Sequence, residues 1–399
     1  MKKTYLMILS LSLVFTLFSS ISNSNHSTAQ AAAAPNFKDI SNHWAKSSID
    51  TAVKANILNG YPDGTFKPEN SITRAELLKV MALTAKLNVG AAPAGKPWYT
   101  PYQTALTSSK VYASGDFSGD INKAITRVEM AKLAIRTVEV DYRGKKLSND
   151  ELMFRAVNAG LLSRTGTKAE TIDPKGTTTR AQAAVLVARL LKLQNGDKLT
   201  VDQGASSAAE ITWHRHNMIT MFDQDDLVKF PYTVKADSKY ELTFDKLIIL
   251  DPDDKSGYLN EYLTGAKYYL DGKKANSSEG YVFAYKLKGE NLVVANENRS
   301  ISNLFYMLAN FGESGDFFLA DKYNYWDMKV SERIGLFTNR TGHALFNKKN
   351  DVGHNFRFEF ITKDFIHSQI KKYGGYPIHL EWFKAVNGKT EFFLTDVKD

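Results

Sequence analysis

One tetrad recurs along this chain at a fixed interval: Thr73-Arg74-Ala75-Glu76, Thr126-Arg127-Val128-Glu129 and Thr179-Arg180-Ala181-Gln182. The interval is 53 residues both times. A constant period of that size calls for a stack of like units, none of which buries its apolar face alone. Threonine followed three residues later by Glu or Gln is a capping box, in which each side chain satisfies an orphan N–H of the first helical turn. Thr73 with Glu76, Thr126 with Glu129 and Thr179 with Gln182 therefore each open a helix. Capping does not explain the arginines. A cation in the first turn sits against the positive end of the helix dipole, where a carboxylate is preferred. Three arginines kept there point to an anionic ligand.

The surroundings of each tetrad read as two helices joined by a loop. In the first copy Phe37-Lys38-Asp39-Ile40 leads into Trp44, Ile49, Ala52, Val53 and Ile57, close to a helical stripe. The turn-rich segment Gly60-Tyr61-Pro62-Asp63-Gly64-Thr65-Phe66 follows, and the tetrad then opens a helix carrying Leu78, Met81, Ala82 and Ala85. The second copy runs from Trp98 and Tyr102 through the loop Ser114–Gly119 to Leu133, Ala134 and Val138. The third has Phe154, Ala156 and Val157, a loop containing Asp173-Pro174, and Leu186, Val187 and Leu190.

Phe-x-Asp, Trp-Ala, Gly-Tyr-Pro-Asp-Gly-Thr-Phe and Ile-Thr-Arg-Ala-Glu together resemble the S-layer homology domain of bacterial surface proteins. The resemblance covers about residues 36–194 as repeats at 36–88, 95–140 and 141–194. The first copy is nearly complete. The second and third keep the tetrad, but Gly-Tyr-Pro-Asp-Gly gives way to unrelated loops and Gln182 stands where Glu is the family residue. The resemblance implies an all-α, three-pronged, pseudo-threefold helical spindle. Its grooves would hold a pyruvylated or otherwise anionic secondary cell-wall polymer linked to peptidoglycan, with S-layer proteins as further partners. A ketal carboxylate suits the two-pronged guanidinium, which pairs in a charge-assisted and often bidentate way. On that reading Arg74, Arg127 and Arg180 are carboxylate clamps, and Asp39, Trp44 and Gly60 are groove or packing residues. No cofactor, metal or nucleic acid is implied.

Two further features agree with a wall address. Lys2 and Lys3 precede an apolar run from Tyr5 to Phe18, a polar stretch and Ala29-Gln30-Ala31, the pattern of a secretory signal peptide over residues 1–31. The run is short of the roughly 20 residues that cross a bilayer, so no transmembrane segment is expected in the mature chain. With no cysteine, thiol catalysis and thiolate metal sites are excluded. Charge is also partitioned: residues 1–199 hold 26 Lys/Arg against 15 Asp/Glu, whereas residues 200–399 hold 25 against 28. The basic excess lies in the repeats, where an anionic polymer would bind.

Residues 195–210, with Gly204-Ala205-Ser206-Ser207-Ala208-Ala209, read as a flexible linker. Beyond it aromatic residues number 33, against 14 before residue 200, and alternation takes over. Tyr240–Phe244, Phe356–Phe360 and Ile378–Trp382 alternate apolar and polar residues, and Val282–Tyr285, Leu292–Val294 and Phe392–Leu394 are further strand candidates. Residues 211–399 are expected to form a mainly antiparallel β sandwich or barrel, with helices near 301–310 and 363–373. Trp213-His214-Arg215-His216 puts two imidazoles on one face of a strand without a third ligand in sight, and a polar strand face is the plainer reading. Asp251-Pro252-Asp253-Asp254 departs from a calcium loop at three positions and reads as a turn. His343 and His354 flank Asn347-Lys348-Lys349-Asn350 in an expected loop, where surface histidines are the plainer reading and catalytic ones the alternative. Tyr323-Asn324-Tyr325-Trp326 suits a core cluster sooner than a platform for sugar rings. No catalytic set is identified, so a non-enzymatic surface protein leads. An anchored cell-wall or polysaccharide hydrolase with its active site in the second half is the alternative.

Overall fold

A computed structural model of the chain describes residues 36–166, 172–235, 240–258, 263, 268–270, 273–291, 299–300, 308–310, 345–346, 352–376, 379–384 and 388–393. The expected signal peptide at 1–31, the strand at Leu292–Val294, His343 and Tyr323–Trp326 lie outside these residues. Six helices build the first part: α1 Lys46–Lys54, α2 Arg74–Thr84, α3 Thr100–Ser108, α4 Arg127–Val138, α5 Asn149–Asn158 and α6 Arg180–Gln194. Their inward faces share one core, in which Ile49, Phe66, Leu78, Leu106, Leu133, Phe154 and Leu186 are buried together.

Helices α2, α4 and α6 begin at equivalent points, and the three starts interlock. An α-helix leaves its first N–H groups without internal acceptors. Here the third of them is met from within: the Thr73, Thr126 and Thr179 hydroxyls accept from the amides of Glu76, Glu129 and Gln182. The first two are met from the neighbouring repeat. The Arg74 amide donates to Lys123 O, that of Arg127 to Gly176 O and that of Arg180 to Asn70 O, at 2.8–3.1 Å. The next amides, of Ala75, Val128 and Ala181, donate to Ile121, Pro174 and Pro68 carbonyls. One residue before each cap the exchange closes into a ring: Ile125 N–H to Ile72 O, Thr178 N–H to Ile125 O and Ile72 N–H to Thr178 O, at 2.9–3.0 Å. Every partner in these sets is 53 residues from its counterpart, so the sequence period becomes a threefold exchange of backbone hydrogen bonds.

The segment 203–209 is not a linker. Helix α7, Gln203–His214, starts at Asp202, whose carboxylate accepts from the Ala205 amide. Its run Gly204–Ile211 is buried, Ala205 and Ala209 join the helical core, and Trp213 stacks on Phe154 of α5 with ring centroids 5.4 Å apart. Small residues that read as flexible serve instead to bring α7 close to its neighbours. Trp213 and His214 thus lie on a helix and not on a strand. After Arg215, in the left-handed region at φ 65°, comes the short helix α8, Met218–Phe222. The same turn grips the sheet that follows: the Asn217 amide nitrogen donates to Ile249 O (2.8 Å), and its oxygen accepts from Ile249 N (2.7 Å). The Arg164 guanidinium, held by Asp202, reaches Ser256 O at 2.9 Å.

The second part is β-rich. Strands β1 Tyr232–Lys235, β2 Tyr240–Leu250, β5 Gly280–Asn291 and β9 Val352–Thr362 form an antiparallel sheet in the order β1-β2-β5-β9. A β-bulge falls between Phe244 and Lys246. One face of the sheet carries Leu242, Phe244, Leu247, Ile249, Phe283, Tyr285 and Ile361 in a core with Met218, Phe230, Ile366 and Tyr376. Ile366 belongs to helix α9, Lys363–Tyr373, where the sequence places one. Strand β10, His379–Lys384, lies between β11, Gly388–Phe393, and β7, Leu308–Asn310; β3 (Tyr268–Leu270) pairs with β4 (Lys273–Ala275) and β6 (Arg299–Ser300) with β8 (Leu345–Phe346). These are four separate sheets, none of them closed on itself into a barrel among the described residues. Two local expectations change: residues 308–310 are strand where a helix is expected, and His354 lies in β9 and not in a loop. Among the described residues no helix is long and apolar enough to cross a membrane.

In the ring of three, Thr178 replaces the isoleucine of the other two positions, and its buried hydroxyl has no hydrogen-bond partner. An unmet buried donor costs about 1–3 kcal/mol. Thr178→Val, of the same shape, should therefore stabilise the chain by about 1 kcal/mol or more in urea unfolding. A loss of stability would mean that the hydroxyl is used and that the ring is described wrongly.

Candidate functional site

The three arginines do not stand free in solvent. Arg74, Arg127 and Arg180 are each about 95% buried, folded against the loop of the neighbouring repeat. The Arg180 guanidinium donates from Nε to Phe66 O (3.0 Å) and from Nη2 to Asn59 O (2.7 Å), and lies over the Tyr61 and Phe66 rings. Arg127 makes the equivalent pair, Nε to Ile172 O (2.9 Å) and Nη2 to Ser163 O (2.7 Å). A cation at a helix start is tolerated because carbonyls of the next repeat surround it.

The three positions differ in charge. Arg74 meets the carboxylate of Glu129 through Nε and Nη2 at 3.0–3.2 Å, and Nη1 takes Asp120 O. Glu129 is buried and also accepts from the Thr126 and Ser118 amides. By the 53-residue period Glu129 corresponds to Glu76 and to Gln182. For Arg127 the residue at the corresponding position is the neutral Gln182, and Arg189 adds a second cation nearby, donating to Leu161 O and Ser163 Oγ. Burial holds Arg127 down to about 10, with Asp173 opposing and Arg189 assisting that shift. Beside Arg180 the corresponding residue is Glu76, whose Oε2 is taken by the amide and hydroxyl of Thr73. Among the described residues neither Arg127 nor Arg180 has a carboxylate in ion-pair contact.

A groove of about 260 Å³ opens at Arg180, lined by Asn59, Gly60, Tyr61, Glu76, Lys79 and Trp98, with Ile57, Leu58 and Val80 behind them. Trp98 is half-exposed. The groove thus combines a buried guanidinium, the Lys79 ammonium, the Glu76 carboxylate and the side chains of Tyr61 and Trp98. A second hollow, about 350 Å³ between Leu87–Pro93 and Pro101–Ser109, contains no charged side chain.

The remaining residues singled out from the sequence divide. Gly60 lines the groove, and a Cβ there would fall 1.9 Å from the Phe37 ring, so glycine lets Phe37 brace the loop from behind. Asp39 is a loop fastener: its two oxygens accept from the Phe66 and Lys67 amides at 2.9 and 2.8 Å. Burial opposes its ionisation, but those amides prevail and hold its carboxyl below the usual range. Trp44 is 66% exposed and lies outside the groove lining. Tyr61, Lys79 and Trp98 complete the site without belonging to the tetrad. Tyr61 belongs to the turn-rich loop Gly60–Phe66, whereas Lys79 and Trp98 come from α2 and the approach to α3 and converge only in the fold.

The S-layer homology domain family matches residues 36–78. The chain is 26% identical over 290 residues to an S-layer protein of Bacillus anthracis, covering 67% of this chain and 35% of that protein. It is 31% identical over 177 residues to an uncharacterised cell wall amidase of the same organism, covering 38% of this chain and 31% of the amidase. It is also 38% identical over 65 residues to a cellulosome-anchoring protein of Acetivibrio thermocellus, covering 16% of this chain and 14% of that protein. The chain therefore spans about a third of the length of the S-layer relative.

The Arg74–Glu129 pair predicts a pH signature. Burial raises the Glu129 carboxyl, but the Thr126 and Ser118 amides and Arg74 outweigh it and leave it below its usual value. A carboxyl lowered on folding contributes stability that is full above its unfolded value, about 4.3, and is lost as pH falls through the folded one. Glu129→Gln should flatten the dependence of unfolding free energy on pH below about 4.3, measured by urea titration at several pH values. An unchanged slope would show that Glu129 is not paired. Residues 36–78 thus match the S-layer homology domain, and the similarity to S-layer proteins and to other surface proteins indicates a secreted, cell-surface protein.

Proposed function

We propose that residues 36–194 are three S-layer homology repeats that hold the chain non-covalently on the cell wall by binding an anionic, pyruvylated secondary polymer. The observation that carries this is the Arg180 groove, where a buried guanidinium without a carboxylate partner faces an opening bounded by Tyr61, Lys79 and Trp98. A carboxylate on a sugar would complete the charge there, while the aromatic faces take the ring. Arg127, beside Arg189 and the neutral Gln182, is the second position open to an anion. At Arg74 the protein's own Glu129 already occupies the place of such a carboxylate, so that position serves assembly. The grooves are unequal, and Arg180 is the lead site.

For residues 211–399 we favour a non-enzymatic, S-layer-like module. The match to the cell wall amidase covers 38% of this chain, about the share that the repeats themselves occupy. The match to the S-layer protein covers 67% and so must run beyond the repeats into the second part.

Co-sedimentation of the full chain with purified walls, before and after removal of the secondary polymer, tests the anchor. Wild-type chain should pellet with intact walls and remain in solution with stripped ones. Arg180→Ala should lower wall affinity about ten- to a hundredfold, the effect of losing one hydrogen-bonded charge contact. Trp98→Ala, at a half-exposed position, should weaken binding with no change in melting temperature. Full binding by both variants, or equal binding to stripped walls, would overturn the assignment.

A further inference from the structure

The end of α7 gathers three metal-ligating side chains that the wall anchor does not use. Glu210 and His214 are four residues apart on one helix, so they lie one turn apart on the same face. Arg215 then adopts the left-handed conformation and turns the chain back, which returns His216 to that face. The His214 and His216 rings are 5.1 Å apart, and His216 Nδ1 stands 3.1 Å from Glu210 Oε1. One ligand atom from each of the three lies within 4.8 Å of the others, and no other such group occurs among the described residues.

The cluster is built but unbalanced. Glu210, fully buried, is oriented by two amides at the start of α8, Ile219 to Oε1 at 2.9 Å and Thr220 to Oε2 at 2.7 Å. A carboxylate has about four lone-pair positions, so both oxygens retain capacity for another partner. His214 Nδ1 is buried and has no hydrogen-bond partner. At His216 the single Nδ1 faces conflicting neighbours: Glu210 Oε1 calls for a proton on it, whereas the Met218 amide, 3.3 Å away, calls for a lone pair. One ring nitrogen cannot serve both. A cation among the three side chains takes the unused His214 lone pair and supplies the positive charge that Glu210 faces, with the His216 Nδ1 lone pair turned to it in place of the 3.3 Å Met218 amide. Of the charged groups nearby, Arg155, paired with Glu151 at 2.9 Å, and Lys229 oppose a cation, and Asp225 favours it.

We propose that Glu210, His214 and His216 form a binding site for a divalent transition-metal ion of the zinc class. Two imidazoles with one carboxylate favour such an ion over calcium or magnesium, which take oxygen ligands. The amides that orient Glu210 are the supporting contacts such a site requires. The site also has a structural consequence. Its ligands lie where α7, packed in the helical core, turns toward β2: the Arg215 carbonyl accepts from Leu247 N, and Asn217 grips Ile249. A bound ion would therefore clip the turn that joins the repeats to the sheet.

The test uses the full chain, free of any polyhistidine tag, stripped with a chelator and titrated with ZnCl₂ by calorimetry and with CoCl₂ by visible absorption. One equivalent of Zn²⁺ should bind and raise the melting temperature, and Co²⁺ should show the ligand-field bands of a low-coordinate nitrogen and oxygen site. His214→Ala and His214→Gln should each lower Zn²⁺ affinity at least tenfold. Because this imidazole is only partly buried, both variants should keep the melting temperature of the metal-free chain. Absence of zinc uptake by the folded wild-type chain, or uptake unchanged in both variants, would overturn the proposal. Neither readout depends on wall binding.

Discussion

Everything in the first part of this molecule depends on how three helix N-termini satisfy their first amides. A helix start buried at the centre of a protein cannot leave those donors to water, and unmet buried donors are costly. Here each start takes one acceptor from its own threonine and two from the neighbouring repeat, in the sequence 74 to 123, 127 to 176 and 180 to 70. The donors of one repeat are thereby the acceptors' partners of the next. No repeat can form this arrangement alone, and the chain must come back on itself, from Thr178 to Ile72, to complete it. The shared apolar core and the hydrogen-bonded ring are two aspects of the same closure.

The arginines take their meaning from this ring. Each follows a capping threonine and is directed by the helix start into the loop of the adjoining repeat. What differs is what waits there. Glu129 pairs with Arg74, the neutral Gln182 takes the corresponding place in the repeat for Arg127, and Glu76 makes no ion pair with Arg180 among the described residues. A sequence repeat with near-identical tetrads therefore yields one internal ion pair and two arginines with no carboxylate in ion-pair contact among the described residues. Fixing the Arg180 guanidinium on two carbonyls and two rings would limit the reorganisation that the proposed binding of an anion needs.

Particular residues show how far the sequence can be read. The capping threonines and the 53-residue interval are local signals, and they mark where α2, α4 and α6 begin. The acceptors at Lys123, Gly176 and Asn70 are tertiary partners with no local mark. Tyr240–Phe244 and Phe356–Phe360 show the period of two and lie in β2 and β9. Gly204–Ala209 misleads because small residues describe a flexible tether and a closely packed helix equally well, and only the buried neighbours of α7 decide between them. The same change of element explains the histidines. On a strand Glu210 would stand about 13 Å along the chain from His214, too far to share a site, whereas on a helix followed by a left-handed residue all three meet. Trp44 and Trp98 look alike in sequence, yet only Trp98 lines the Arg180 groove.

The central claim is that the three arginine positions are chemically unequal, with Arg180 proposed to receive the anion and Arg74 already paired with Glu129. Hydrogen exchange of the backbone amides, with and without solubilised secondary wall polymer, tests it most directly. The account predicts added protection at residues 59–66 and none at 112–120, the loop that Arg74 and Glu129 hold together. Equal protection of both loops, or protection confined to 112–120, would contradict it.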